Sequence, residues 1–325
     1  MENQELNNLR KLMGTLPDDK PPFVTPFYQG VTGMKNAVKL IDHSKNPYKA
    51  LYTLATSCWG KKIDKWDDTP PNCRYLVVKA VLTRNALPLA YEAAQFTFAV
   101  ENLPRWSFDQ IARARVGIVF SSSGTRDNCH LDAGFFVHDD IFEDEELLKD
   151  FKEAAEQCKR VYKKIVEKGS GNWQSARSIL PISNTHAFSF SCNFAALQSM
   201  LSKRTKFCEA DATVAFAWLC VKEVEKVFPL LSKYLFPSCD ANNKCGYTKS
   251  YYLSNCFGCL FKPCGRNKTD AGVSDYASIN EVCSSREKIM EQLDIYIPTS
   301  EEIRQALNKD EYEDLSIEDK SLFEG

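Results

Sequence analysis

Residues 106–126 read WSFDQIARARVGIVFSSSGTR, and their reading decides the rest of the chain. Trp106 to Val116 has helical spacing, with Ser107 as candidate N-cap and Gln110 three residues later to complete a capping box. Arg113 and Arg115 stand two apart near the end of that helix. A turn of small hydroxyl residues and glycine follows, Ser121-Ser122-Ser123-Gly124-Thr125, and then Arg126. Backbone N–H groups, hydroxyls and guanidinium groups in one short stretch suit a phosphate. Gly124 carries no Cβ to keep a ligand away from the backbone. A solvated turn flanked by surface arginines is the competing reading of the same residues.

Outward from this stretch, the chain alternates helical and extended patterns. Gln95 to Val100 (QFTFAV) has the aromatic and β-branched residues of a strand. Val38, Leu40, Ile41, Tyr48, Leu51 and Leu54 predict a helix over 36–58, and residues 74–86 fit a helix or a buried strand. The clearest helix spans 143–168. Leu147, Phe151, Ala154, Cys158, Val161 and Ile165 recur at threes and fours, and Gly169 is placed to end it. Two more helices are predicted at 194–204 and 209–228, the second stopped before Pro229. Residues 60–73, with Pro70-Pro71, read as a loop.

Composition narrows the function classes. The 325 residues are 44% hydrophobic and 26% charged, the balance of a soluble globular protein. The sequence holds no apolar run of membrane-spanning length. A formal net charge of −2 gives no general attraction to duplex DNA or anionic membranes. The N-terminal residues lack the basic start and apolar middle of a secretory signal, so a cytoplasmic setting with reduced thiols is expected for the 13 cysteines. Five of them, Cys239, Cys245, Cys256, Cys259 and Cys264, fall within a short polar stretch. Cys256 and Cys259 form a CxxC pair, and with Cys239 and Cys264 they make a candidate zinc set; reduced structural cysteines are the alternative.

The order of segments over residues 36–230 resembles the flavin-dependent thymidylate synthases. That family's motif is Arg-His-Arg, seven residues, then Ser; here it is Arg113-Ala114-Arg115, seven residues, Ser123, with the family's Gln at Gln110. The lead-in Phe-Thr-Phe is Phe96-Thr97-Phe98, preceded by Glu92. Downstream come Glu167-Lys168-Gly169, Ala176-Arg177, Leu180-Pro181, and Asn193 eleven residues before Arg204. The resemblance implies an α/β (α+β) fold, a curved mixed sheet flanked by helices. It also implies a homotetramer with active sites built between subunits. The expected organisation is an N-terminal arm at 1–35, a catalytic domain at 36–236, a Cys-rich insert at 237–270 and a helical, acidic, mobile tail at 271–325.

The resemblance further implies one-carbon transfer to C5 of a pyrimidine deoxynucleotide, dUMP to dTMP, with methylenetetrahydrofolate as donor and FAD as cofactor. Ser123 and Arg126 match phosphate contacts, and Gln110 a further nucleotide contact. Arg177 matches an Arg that reaches a neighbouring subunit's nucleotide. Arg113 and Gly124 belong with the substrate side, and Arg113, Arg115 and Asn193 with the flavin side. Arg204 matches the Arg that favours the anionic form of the pyrimidine ring, because a fixed cation stabilises developing negative charge. Arg204 and Ser123 are the candidate catalytic residues.

The departures are one-sided. Three polar flavin positions of the family are Ala93, Ala114 and Ala195 here, and Ala supplies neither donor nor charge. The Arg of the Ser-x-Arg-Tyr element comes one residue late, at Arg126, followed by Asp127. These departures open two alternatives: a hydroxymethylase acting on deoxyuridylate or deoxycytidylate without net reduction, and a nucleotide-binding protein without catalysis. Among the histidines, His130 and His138 read as loop residues, and His186 is the better functional candidate.

Overall fold

The computed structural model describes residues 25–59, 65–83, 87–125, 129–168, 173–205, 209–235, 286–309 and 311–325. Arg126, Gly169 and the Cys-rich stretch with Cys239, Cys245, Cys256, Cys259 and Cys264 lie outside them, so the zinc set falls there too. Among the described residues no group of three or more His, Cys, Asp or Glu is arranged to hold a metal ion.

The architecture is α+β, with a four-stranded sheet flanked by helices. The strands are β1 (Phe27–Gln29), β2 (Val38–His43), β3 (Gln95–Pro104), β4 (Ile118–Ser122), β5 (Phe135–Val137) and β6 (Thr185–Asn193). The main sheet has the order β2-β3-β6-β4 and is antiparallel throughout, while β1 and β5 form a separate parallel pair. Alternation along β3 sends Phe96, Phe98 and Val100 to one face, opposite Cys192, Phe190 and Phe188 of β6. Phe98 and Phe190 stack with centroids 4.8 Å apart.

The helices used below are α1 (Pro47–Trp59), α2 (Pro71–Leu82), α3 (Arg105–Ile111), α4 (Glu145–Lys168), α5 (Phe194–Arg204), α6 (Asp211–Glu225), α7 (Arg286–Leu293), α8 (Ser300–Lys309) and α9 (Ile317–Glu324). Helix α6 covers the aromatic face of the sheet. It is buried on nearly every side, and Phe216 meets Phe188 and Phe190 at 6.2 and 6.0 Å.

Several sequence expectations are corrected. Residues 38–43 are a strand, not the first part of a helix. A bulge between Leu40 and Asp42 breaks the two-residue alternation and produces a helix-like spacing. Ser107 is not an N-cap: helix α3 starts at Arg105 behind Pro104, and Ser107 is fully buried with its hydroxyl 2.8 Å from that of Thr213. Helix α4 forms as expected, but its buried side runs through Ala155, Lys159 and Tyr162, and Ala154 faces out.

The acidic C-terminal stretch packs against the domain. Phe323 is fully buried and stacks on Tyr48 at 4.6 Å and Trp66 at 6.1 Å, with Tyr75 edge-on at 5.8 Å. Arg74 of α2 donates to the Phe323 carbonyl and lies 4.7 Å over the Trp66 ring. Asp319, also buried, accepts from the Tyr48 hydroxyl and from the Leu230 amide at 2.8 Å. Earlier in the segment, Lys288 and Gln292 of α7 reach Asp139 at 2.8 and 2.6 Å. Acidity predicted a solvated tail; one aromatic ring and one satisfied carboxylate override it.

Phe323→Ala should destabilise the whole domain by about 3–5 kcal/mol, the usual cost of emptying a buried aromatic site. Urea unfolding would show it as a lower midpoint with an unchanged slope. An unchanged midpoint would mean that the C-terminal helix is not part of the cooperative unit.

Candidate active site

Two paired strands, β3 and β6, and the helix that follows each of them position the site. β3 runs through Pro104 directly into α3, whose first amides are satisfied from the facing segment: Arg105 donates to the Asn184 carbonyl at 3.1 Å and Trp106 to that of Ile182 at 3.3 Å. This ties the Arg177–Asn184 segment to the start of α3. At the other end of β6, Asn193 caps α5, its Oδ1 accepting from the Ala196 amide at 2.8 Å. Gly117 sits against this cap at φ +72, and a Cβ there would lie 2.9 Å from that of Ala196.

The structure brings Gln110 and Arg204 together. Arg204, at the C-terminal end of α5, donates to the Gln110 carbonyl at 2.9 Å and pairs with Glu209 at 2.6 Å. The guanidinium is mostly buried, with 18% of the side chain exposed. These two contacts use two of its five N–H donors and fix the plane of the fork. Ser123 extends the β4–β6 ladder. Its amide and hydroxyl both donate to the Ala187 carbonyl, at 3.1 and 3.0 Å.

A second group gathers at the start of α3. A cavity of about 300 Å³ is lined by Arg105, Thr125, Arg177, Leu180, Asn184 and His186, among others. Arg177 is exposed on its rim, and Arg105 pairs with Asp109 at 3.0 Å. His186 is 6% exposed and neither ring nitrogen has a hydrogen-bond partner among the described residues. The Asn184 side chain donates to the Thr185 carbonyl at 2.9 Å, and its Oδ1 is likewise unpartnered.

His130 stands behind this cavity. It is 4% exposed, it hydrogen-bonds the Gly124 backbone, and its Nε2 has no partner among the described residues. Its loop is clamped from α4: the Lys159 ammonium donates to the carbonyls of His130, Leu131 and Ala133, the last two at 3.1 and 2.5 Å. The Tyr162 hydroxyl receives the His130 amide at 3.2 Å. Desolvation holds both imidazoles neutral, each pulled down to about 4; the Lys159 charge adds to this at His130, and the Arg105 charge at His186.

The flavin-side positions show a different picture. Arg113 and Arg115 are exposed past the end of α3, and the Asn193 Oδ1 is engaged in its helix cap. Ala114 and Ala195 pack against the apolar core. At Ala93, Ala114 and Ala195, three positions that the resemblance gives to the flavin, the side chain offers no polar group. Sequence reasoning also missed Arg105, Asn184 and the grouping of His130 with His186. His138, the other loop histidine, stacks on Trp106 and pairs with Asp211 at 3.3 Å, which raises its pKa.

No curated protein matches the sequence. Among solved structures, the crystal structure of a UMP/dUMP methylase, PolB from Streptomyces cacaoi, bound with 5-Br dUMP, is similar in fold. It shares 18% identity at a TM-score of 0.50, and the match covers 61% of this chain and 93% of that one. The family model described as thymidylate synthase complementing protein matches residues 39–230. The chain belongs to that family, the flavin-dependent thymidylate synthases that its motif order resembles.

Proposed function

We propose that this chain transfers a one-carbon unit from methylenetetrahydrofolate to C5 of a pyrimidine deoxynucleotide of the dUMP type. The observation that carries this reading is the Gln110–Arg204 pair, oriented by Glu209, in a chain of this family. A buried, pre-oriented guanidinium stabilises negative charge as the ring becomes nucleophilic at C5, at no reorganisation cost during reaction. Arg105 and Gln110 stand at the two ends of α3, about 7.5 Å of helical rise apart. The ring end of a nucleotide at Arg204 therefore leaves its phosphate near Arg105, Thr125 and Arg177. Ser123 and Gly124 hold the turn that presents Thr125. Active sites shared within a homotetramer, in the cytoplasm, belong to this proposal.

A specific observation favours a hydroxymethyl product. Ala93, Ala114 and Ala195 stand at three flavin positions, and two of them serve the core. A route without hydride balances as follows. C5 bonds to the donor's methylene carbon and loses its proton. The bond from that carbon to the folate nitrogen breaks and releases tetrahydrofolate. Water then adds to the methylene carbon and leaves a hydroxymethyl group. No step here needs a reductant.

The deciding experiment incubates the full chain with dUMP or dCMP and methylenetetrahydrofolate, with and without FAD and NADPH, and weighs the nucleotide product. A hydroxymethyl product without flavin is expected. A methyl product that requires FAD and NADPH would restore ordinary thymidylate synthesis, and no product under any condition would leave a nucleotide-binding protein. The purified protein should be colourless, since each lost charge-assisted hydrogen bond is worth roughly 1.5–3 kcal/mol of cofactor affinity. Stoichiometric FAD absorbance at 450 nm would show that other residues hold the flavin. Arg204→Ala should lower kcat/KM by about 10²–10³, the scale for loss of a charge-stabilising donor. A loss confined to KM would place Arg204 in binding alone.

A further inference from the structure

We propose that His186 is a proton-coupled anchor for the nucleotide's phosphate monoester, taking up a proton from solvent as the dianion enters the cavity beside Arg105 and Arg177. The inference rests on the pyrimidine nucleotide reading and deepens it. The motif match assigns the phosphate to Ser123 and Arg126 and gives no role to either buried histidine.

The argument starts from an unmet need. An imidazole buried with no hydrogen-bond partner loses its bonds to water and regains none in the fold. His186 does so with both nitrogens, among the described residues, at the wall of an open cavity. Its ring packs edge-to-face on Phe108 at 4.6 Å and tilted on Phe188 at 5.8 Å. Asn184 Oδ1, at the same wall, also lacks a partner. One wall thus offers cationic or proton-accepting groups for an anion and an acceptor for a hydroxyl. A sugar phosphate carries both complements, the anion and the hydroxyl, on one molecule and at a fixed separation.

Charges facing the two rings set the direction of the coupling. His186 faces Arg105 from α3 and His130 from the loop, with Arg177 on the cavity rim. His130 faces Lys159 from α4 and Arg105. Arg105 is partly balanced by Asp109. Arg105 and Arg177 place positive charge by His186, and Lys159, itself faced by Asp132, stands behind the neutral His130, so the empty cavity disfavours a proton on His186 and a phosphate dianion reverses that preference. The Leu103 carbonyl, outside hydrogen-bond geometry, is the smallest of these influences and favours the protonated ring.

Two consequences have opposite signs in pH. In the free protein both rings have folded pKa values of about 4 against an ordinary 6.5. The unfolded chain then binds more protons between those limits, so stability is fully present above about 6.5 and is lost as pH falls toward about 4. Bound nucleotide opposes the loss, because its binding strengthens as protons become available.

The test is isothermal titration of the full chain with dUMP near pH 7 in buffers of different ionisation heat. Deoxyuridine and inorganic phosphate serve as comparison ligands, and His186→Gln as variant. We expect net proton uptake with dUMP and none with deoxyuridine. The dUMP affinity should tighten as pH is lowered, by at most about tenfold per unit for one proton. His186→Gln should lose the uptake and bind dUMP roughly tenfold to hundredfold more weakly, while deoxyuridine binding stays the same. With only four histidines in the chain, proton NMR of the wild-type rings gives a second readout should the variant not fold: one resonance should titrate upward on adding dUMP. If dUMP binds without proton uptake and the variant binds equally well, His186 is not the anchor and the nucleotide reading stands. If dUMP does not bind the wild type at all, the nucleotide reading fails, and this inference with it. Phosphate uptake of a proton without dUMP binding would likewise overturn the nucleotide assignment.

Discussion

The pairing of β3 with β6 is the constraint on which the candidate site depends. Its register sets Phe98 on Phe190 and Phe96 on Cys192, and α6 seals that face with Phe216. A shift of one residue would turn these aromatics to the open face, so the register is strongly held. Three features of the site then follow from β6 alone. His186 lies at its start, the Ala187 carbonyl receives Ser123, and Asn193 at its end caps the helix that carries Arg204. β3 adds α3 without a loop, and with it Arg105 and Gln110. Ring-side and phosphate-side groups are thereby mounted on one rigid ladder, which suits precise placement better than loops do.

The parts around this ladder act as braces. Lys159 reaches from α4 to three carbonyls and fixes the loop that sets His130 against Gly124. A buried ammonium is costly alone, but three acceptors surround this one. The C-terminal helices brace the opposite side. Phe323 fills a box made by α1, α2 and Trp66, and Asp319 satisfies Tyr48 and the Leu230 amide at once. Removing the Phe323 ring would empty a buried site and removing the Asp319 carboxylate would leave buried donors without partners, so this extension belongs to the domain's stability although it lies outside the family match at 39–230.

Legibility in the sequence followed the range of the interactions. Helix α4 and strand β3 could be read because their periodicity is local. The meeting of Gln110 and Arg204, far apart in sequence, came from the order of matched motifs, and the 2.9 Å contact is consistent with it. Strand β2 was misread because its bulge mimics helical spacing, and Ser107 because its partner, Thr213, is on another helix. The acidic tail was misread because composition averages over residues, and Phe323 and Asp319 act singly. His130 and His186 are ordinary loop and strand residues in one dimension. The sequence could single out His186 only by its place near the matched motifs; the burial of both rings, with unpartnered nitrogens among the described residues, is not written locally.

On the proposed reading, the contrast between the three alanines and the nucleotide-side residues has a structural basis. Arg204 and Arg105 sit on helices whose ends are tied to the ladder, and the side chain of each makes a contact that its replacement would break. The three alanines make no such contact. Ala114 follows the last turn of α3, and Ala195 lies in the first turn of α5, each against the core. A long polar side chain at either place faces a choice between packing and solvent, and it is retained only if a cofactor rewards it. Once that reward is gone, a small apolar residue gains helix propensity and packing at no cost to the nucleotide side. The fold therefore permits the two halves of the site to diverge separately, with the ladder unchanged beneath both.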